Sequence, residues 1–144
     1  MQIIKRKANF IPYRFFNNHF EFYLSHRSKT ATQYPDYWSF WGGGIEGNET
    51  PEQTLIREIQ EELNWKPDPF QFLGIYYDSM SNEKFIFFTK VNNDFEKLIK
   101  AHEGQGGKFF TIEEITYEAK ITSEDKKPLF ELRDFLTNTY TTRI

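Results

Sequence analysis

Three glutamates, Glu58, Glu61 and Glu62, fall within five positions of the stretch "REIQEELN". Residues three and four apart share one face of an α-helix, so a helix here would put all three carboxylates on one side. Like charges at that spacing cost about 0.2–0.5 kcal/mol per pair. The C-terminal half of a helix also disfavours anions, because the macrodipole is negative there. Local physics therefore opposes the arrangement unless something positive sits against it. A hard divalent cation would do so. Mg²⁺ and Mn²⁺ take oxygen ligands, and Mg²⁺ commonly links one or two carboxylates to substrate phosphates. A solvated acidic face neutralised by lysine or arginine is the plainer alternative, and spacing alone leaves both open.

The segment itself reads as a helix over about residues 50–64. Thr50 is the cap, Pro51 opens the first turn and Gln53 completes the pattern of a capping box. Leu55, Ile56, Ile59 and Leu63 give it an apolar stripe beside the glutamates. Upstream, residues 3–16 and 19–27 mix aromatic and β-branched residues with polar ones around Asn17-Asn18, which predicts two strands and a turn. Residues 28–37 read as a loop. "PFQFLGIYYDS" and "EKFIFFTKV" are strand candidates with a turn near residues 80–82, and "FEKLIKAHEGQGG" is a polar connection. "KFFTI" suggests a short strand and "EEI" a helical turn. "KKPLFELRDFLTNTY" predicts a C-terminal amphipathic helix with Leu129, Phe130, Leu132, Phe135 and Leu136 mostly inward. Strands with one central and one terminal helix indicate an α/β or α+β layered domain.

Read outward from the glutamates, residues 43–65 follow a longer pattern: Gly43, Glu49, Arg57-Glu58-Ile59, Glu61-Glu62, Asn64 and Trp65. This resembles the signature of the Nudix hydrolases. Asn64 stands where that family usually has glycine. The position ends the helix in the left-handed region, which Asn tolerates better than other non-glycine residues. Trp41 replaces the proline that commonly precedes the paired glycines. The resemblance implies a Nudix-type αβα sandwich, with a mixed sheet between the central catalytic helix and the C-terminal helix. It also implies a single domain over residues 1–144.

The same resemblance implies metal-dependent hydrolysis of a nucleoside diphosphate linked to another group. It assigns Glu58 and Glu62 as primary ligands of Mg²⁺ or Mn²⁺, and Glu61 as a further ligand or a water-orienting group. The Gly42 carbonyl is a neutral ligand candidate, since glycine lets backbone approach a metal closely. Glu103, in "HEGQGG", corresponds to a second glutamate that the family often places before the last sheet strand, facing the metals or the attacking water. Either Glu58 or Glu103 is the general base. Arg57 is a catalytic-site residue that orients a carboxylate, and Glu49 is read as structural, holding the loop against the helix. For substrate, the candidates are Arg27 against phosphates, Phe40 and Gly43. Trp38, Tyr76 and Tyr77 are weaker stacking candidates that read mainly as core.

The bulk numbers fit. A chain of 144 residues suits one core, and 19% aromatic residues supply large rings for it. A net charge of −3 gives no broad attraction to nucleic acid or membranes. The absence of cysteine excludes disulfides, zinc–thiolate sites and thiol nucleophiles. The N-terminus lacks the apolar run of a signal peptide, so a soluble cytoplasmic protein is expected. His19, His26 and His102 show no metal spacing. "GGGIEGNE" lacks the Lys-Ser/Thr of a P-loop, and the basic "KRK" at residues 5–7 is explained by alternation within a strand. The expected reaction converts a nucleoside triphosphate, oxidised purine forms included, to a monophosphate and pyrophosphate. Dinucleoside polyphosphates and nucleotide sugars are the alternatives. The rival of another class is a non-catalytic nucleotide-binding module, which would tend to lose the glutamates that this chain keeps.

Overall fold

The computed structural model describes residues 2, 5–99 and 106–142, the side chains of residues 141 and 142 excepted. Among the described residues, seven strands form one mixed sheet. β1 (Lys5–Phe16) and β2 (His19–His26) make a hairpin across Asn17 and Asn18, both at positive φ (51° and 66°), as a two-residue hairpin turn demands. β3 (Trp38–Ser39) pairs with the far end of β2, and β4 (Trp41–Gly44) pairs with the first half of β1. α1 (Pro51–Leu63) follows. β5 (Gln71–Tyr77) and β6 (Asn82–Lys90) form a second hairpin. β6 lies parallel to β1, Lys7 beside Lys84 and Ile11 beside Phe88. A short helix, α2 (Phe95–Leu98), precedes β7 (Gly107–Thr111), which pairs antiparallel with β2. α3 (Ile112–Tyr117) and α4 (Ser123–Thr142) complete the order.

Strict alternation along the strands builds two cores. On one face Ala8, Phe10, Tyr23, Phe87 and Phe109 pack against Leu55, Ile59 and Leu63 of α1. On the other, Ile11, Phe22, Leu24, Ile86 and Phe110 pack against Leu129, Leu132 and Leu136 of α4. The result is the αβα sandwich with a mixed sheet that the sequence implies.

The capping box of α1 forms as expected, Thr50 accepting from the Gln53 N–H and Gln53 from the Thr50 N–H. The inward stripe differs by one residue: Thr54 is buried, and Ile56 only partly. Thr54 tolerates burial because its hydroxyl donates to Glu49 at 2.8 Å. α4 starts three residues before the expected "KKPLF". Thr122 caps it, its hydroxyl accepting from the Asp125 N–H at 3.2 Å, and Glu124 and Asp125 fill the first turn. Pro128 thus lies inside the helix and costs it one backbone hydrogen bond. Phe135 is 48% exposed, contrary to its expected inward place. α2 arises within what the sequence presents as a polar connection, pinned by buried Phe95. Among the described residues, no helix is long and apolar enough to cross a membrane.

Asn64 ends α1 at φ 52° and ψ 44°, its N–H bonded to the Gln60 carbonyl. The left-handed region strains residues with a Cβ, β-branched ones most. Asn64→Gly should therefore match or exceed the native stability, while Asn64→Val should cost about 1–2 kcal/mol. Urea-unfolding midpoints of the three proteins check this.

Candidate active site

The site forms where β4 runs into the loop before α1. Gly42 has φ +121°, and a Cβ there would lie 2.0 Å from the Ala8 carbonyl oxygen, so no other residue fits. Its N–H donates to Glu62 Oε1 at 2.8 Å. At Gly43 a Cβ would lie 2.5 Å from the Glu58 carboxyl carbon. Gly43 thus lets Glu58 rest against the β4 backbone, and the Gly42 N–H holds Glu62 there.

Arg57 supplies the positive charge that the acidic face needs. Its guanidinium donates twice to Glu49, Nε to Oε2 at 2.8 Å and Nη2 to Oε1 at 3.0 Å. Nη1 donates to Glu58 Oε1 at 3.1 Å and lies 3.5 Å from Glu61 Oε1. Nη2 also donates to the Gly44 carbonyl at 3.2 Å. Glu49 accepts further bonds from the Thr54 hydroxyl and the Glu46 N–H. Hydrogen bonding, first from Arg57 and then from Thr54 and Glu46, lowers the Glu49 pKa from 4.5 to about 2. The same pairing pushes the Arg57 pKa upward. Glu49 is thus the loop-to-helix tie, and Arg57 carries its grip on to Glu58.

The donor set of Glu58, Glu61 and Glu62 is all oxygen, which suits a hard dication. The gap over Gly43, which a Cβ would fill, gives the Glu58 carboxylate room beside the backbone. As they stand, Glu58 turns to Arg57 and Glu62 to the Gly42 N–H, while Glu61 stays 56% exposed. Among the described residues no three acidic, histidine or cysteine side chains already converge as a metal-holding group. The residues fit such an ion in chemistry and in sharing one helix face, with their carboxylates still to be drawn together. Glu103 and His102 lie outside the described residues.

A cleft of about 140 Å³ borders Gly42 and Gly43 on the α4 side of the sheet. Its floor is where strand polarity changes. On β1 the residues facing α4 run Lys7, Asn9, Ile11, Tyr13, and on β6 Asn82, Lys84, Ile86, Phe88. The first two of each series are polar and line the cleft. Lys84 Nζ lies 3.1 Å from Asp125 Oδ1 and 3.3 Å from Asp78 Oδ2. Burial raises the pKa of Asp125, with Lys84 offsetting part of that rise. Burial acts to depress Lys84, but Asp125 and Asp78 outweigh it and hold its pKa up. Glu124 faces the same end and accepts from the Ser79 N–H.

Arg27 lines the cleft, its Nε donating to the Gln33 carbonyl at 3.0 Å. Phe40 belongs to the α4-side core and also lines the cleft. Trp38 stacks on His26 at 4.0 Å and borders the cleft. Tyr76 and Tyr77 bond Glu131 and Glu83. Lys7, Asn9, Lys84 and Asp78 are cleft residues that sequence reasoning does not single out. The signal for the first two is the switch from polar to apolar at every second residue of β1.

Residues 5–132 match the NUDIX domain family. An RNA pyrophosphohydrolase from a Nitratiruptor species is 31% identical over 110 residues, 76% of this chain and 62% of that protein. The chain thus spans about three fifths of that relative's length. A diphosphoinositol polyphosphate phosphohydrolase 3-alpha from Mus musculus is 28% identical over 90 residues, 59% of this chain and 54% of that protein. Among solved structures, a mutT/nudix family protein from Listeria innocua superposes with a TM-score of 0.79 at 18% identity, covering 99% of both chains.

The depressed Glu49 pKa sets a pH window. The stability that Glu49 contributes is complete above its ordinary value of 4.5 and is lost as pH falls toward about 2. Glu49→Gln should be less stable than the native protein at pH 7, and the difference should shrink steadily from pH 5 to pH 2. Urea midpoints at several pH values measure it.

Proposed function

We propose that this chain, which belongs to the NUDIX family, is a divalent-metal-dependent pyrophosphohydrolase that converts a nucleoside triphosphate to a monophosphate and pyrophosphate. The observation that carries the reading is the docking of Glu58 and Glu62 on Gly43 and Gly42 at the edge of a polar cleft. Mg²⁺ or Mn²⁺, held by Glu58, Glu62 and Glu61 with the Gly42 carbonyl, would supply charge neutralisation and Lewis acidity toward the phosphoanhydride. Arg57 fixes the Glu58 carboxylate, and the Gly42 N–H fixes Glu62. Glu58 or Glu103 takes the proton of the attacking water as the new P–O bond forms. The phosphoanhydride P–O bond breaks and pyrophosphate leaves with the electron pair.

Cleft charge favours a nucleoside over a second polyanion. Asp78 and Asp125 pair with Lys84 at the α4 end, and Glu124 lines the same cleft. A polyphosphorylated ring, which the name of the mouse relative implies for that protein, would meet three carboxylates there. A base and ribose would instead meet hydrogen-bond acceptors. The similarity to an RNA pyrophosphohydrolase makes the triphosphorylated 5′ end of RNA the second reading, since it presents the same nucleoside and phosphates.

Phosphate release should be assayed over nucleoside triphosphates, oxidised purine forms, dinucleoside polyphosphates, nucleotide sugars, a diphosphoinositol polyphosphate and a 5′-triphosphorylated oligoribonucleotide. Turnover should need Mg²⁺ or Mn²⁺ and vanish in EDTA. Glu58→Gln should lower kcat by about 10²–10⁴ without unfolding the protein. Millimolar Mg²⁺ should also raise the melting temperature of the native protein, by relieving the repulsion among the three glutamates. Full activity in Glu58→Gln, or in EDTA, would sink the metal-hydrolase reading.

A further inference from the structure

We infer that Lys7 is the phosphate-binding cation of the cleft, its ammonium pairing with the polyphosphate of the substrate beside Gly43. This rests on the hydrolase reading above and concerns a residue that the signature pattern does not include. Lys7 lines the cleft, opposite Gly44 on one side of β1 and Lys84 on the other. The cleft's other basic side chains are already engaged. Lys84 is held by Asp125 and Asp78, and Arg27 donates to the Gln33 carbonyl. Elsewhere on the strand, Arg6 pairs with Glu83 and Arg14 with Glu21. Among the described residues, Lys7 itself makes no hydrogen bond or ion pair.

Its surroundings penalise that charge. Burial, then Lys84 and Lys5, lower the Lys7 pKa, and Arg27 adds to this, while Asp78 alone among the facing groups opposes it. A half-buried ammonium among cations costs stability unless an anion joins it. Asn9, two residues along the same strand face, gives an independent sign of an incomplete wall. It is 7% exposed and lines the cleft; its Nδ2 donates to the Trp41 carbonyl at 3.3 Å, but its Oδ1 has no partner. A phosphate answers the first deficit, and a water or hydroxyl carried with the substrate answers the second. Lysine suits the task as a compact point charge with three donors.

The test compares Lys7→Met, Lys7→Arg and Lys66→Met in the full chain, the last removing one charge elsewhere. Three quantities are read: KM and kcat for the best nucleotide of the panel, affinity for its non-hydrolysable α,β-methylene analogue in EDTA, and melting temperature. Lys7→Met should weaken analogue binding and raise KM about ten- to a hundredfold, the usual worth of a charged hydrogen bond. Its kcat should stay within about threefold, Lys7→Arg should keep most of the affinity, and Lys66→Met should behave as the native protein. The melting temperature of Lys7→Met should equal or exceed the native one, because an unpaired charge is gone. If Lys7→Met does not fold, Lys7→Gln replaces it. Analogue affinity within twofold of native, or an equal loss in Lys66→Met, overturns the assignment while leaving the hydrolase reading intact. Absence of turnover in the native protein on every substrate overturns the hydrolase reading instead.

Discussion

The bidentate pairing of Arg57 with Glu49 makes the acidic face of α1 tolerable. Three carboxylates on the negative end of a helix repel one another and the macrodipole. One guanidinium, tied at 2.8 Å to a residue of the preceding loop, reaches both Glu58 and Glu61. The tie does two things at once. It fixes the loop that carries Gly42 and Gly43 against the helix, and it holds part of the local positive charge in place. An arginine with a fork of donors can serve loop and helix together, where a lysine could satisfy only a point.

The second constraint is the change of polarity along the sheet. The α4 face is aromatic and aliphatic over most of β1 and β6, then turns polar at Lys7, Asn9, Asn82 and Lys84. α4 covers the apolar part, and only its first turn, with Glu124 and Asp125, reaches the polar part. The cleft exists because the helix that seals the core stops where the core residues stop. On the α1 face Gly43 leaves room for the Glu58 carboxylate, and the Gly42 N–H holds Glu62 at the same rim. The glutamates of α1 and the cleft therefore come from opposite sides of one sheet and meet at β4.

Much of this is legible in the chain. Aromatic alternation with Asn17-Asn18 marks the first hairpin, Thr50, Pro51 and Gln53 mark the start of α1, and Asn64 marks its end. The role of Glu49 follows from its place in the signature. The start of α4 is harder to see because Pro128 looks like a first-turn residue, whereas Thr122 is the cap that carries the bond. α2 is hidden because one buried phenylalanine, not periodicity, pins it. Lys7 passes unnoticed because alternation explains why a strand carries charges but not which face meets a cleft. That depends on β6 lying beside β1, and on Asp125, far along the chain, taking Lys84 and leaving Lys7 without a counterion. Local sequence rules hold no information about such partners.

The parallel pairing of β1 with β6 also orders events in time. Lys5 meets Asn82 and Tyr13 meets Lys90, so the central ladder of the sheet closes a loop of more than seventy residues. Contacts that distant are slow to form, because chain entropy is lost before they stabilise anything. The tie from Glu49 to Arg57 spans only eight residues. As the chain emerges from a ribosome, the carboxylate loop and its helix can organise first. The cleft needs the sixth strand in place beside the first, so by the same entropy argument it closes after the short Glu49–Arg57 tie.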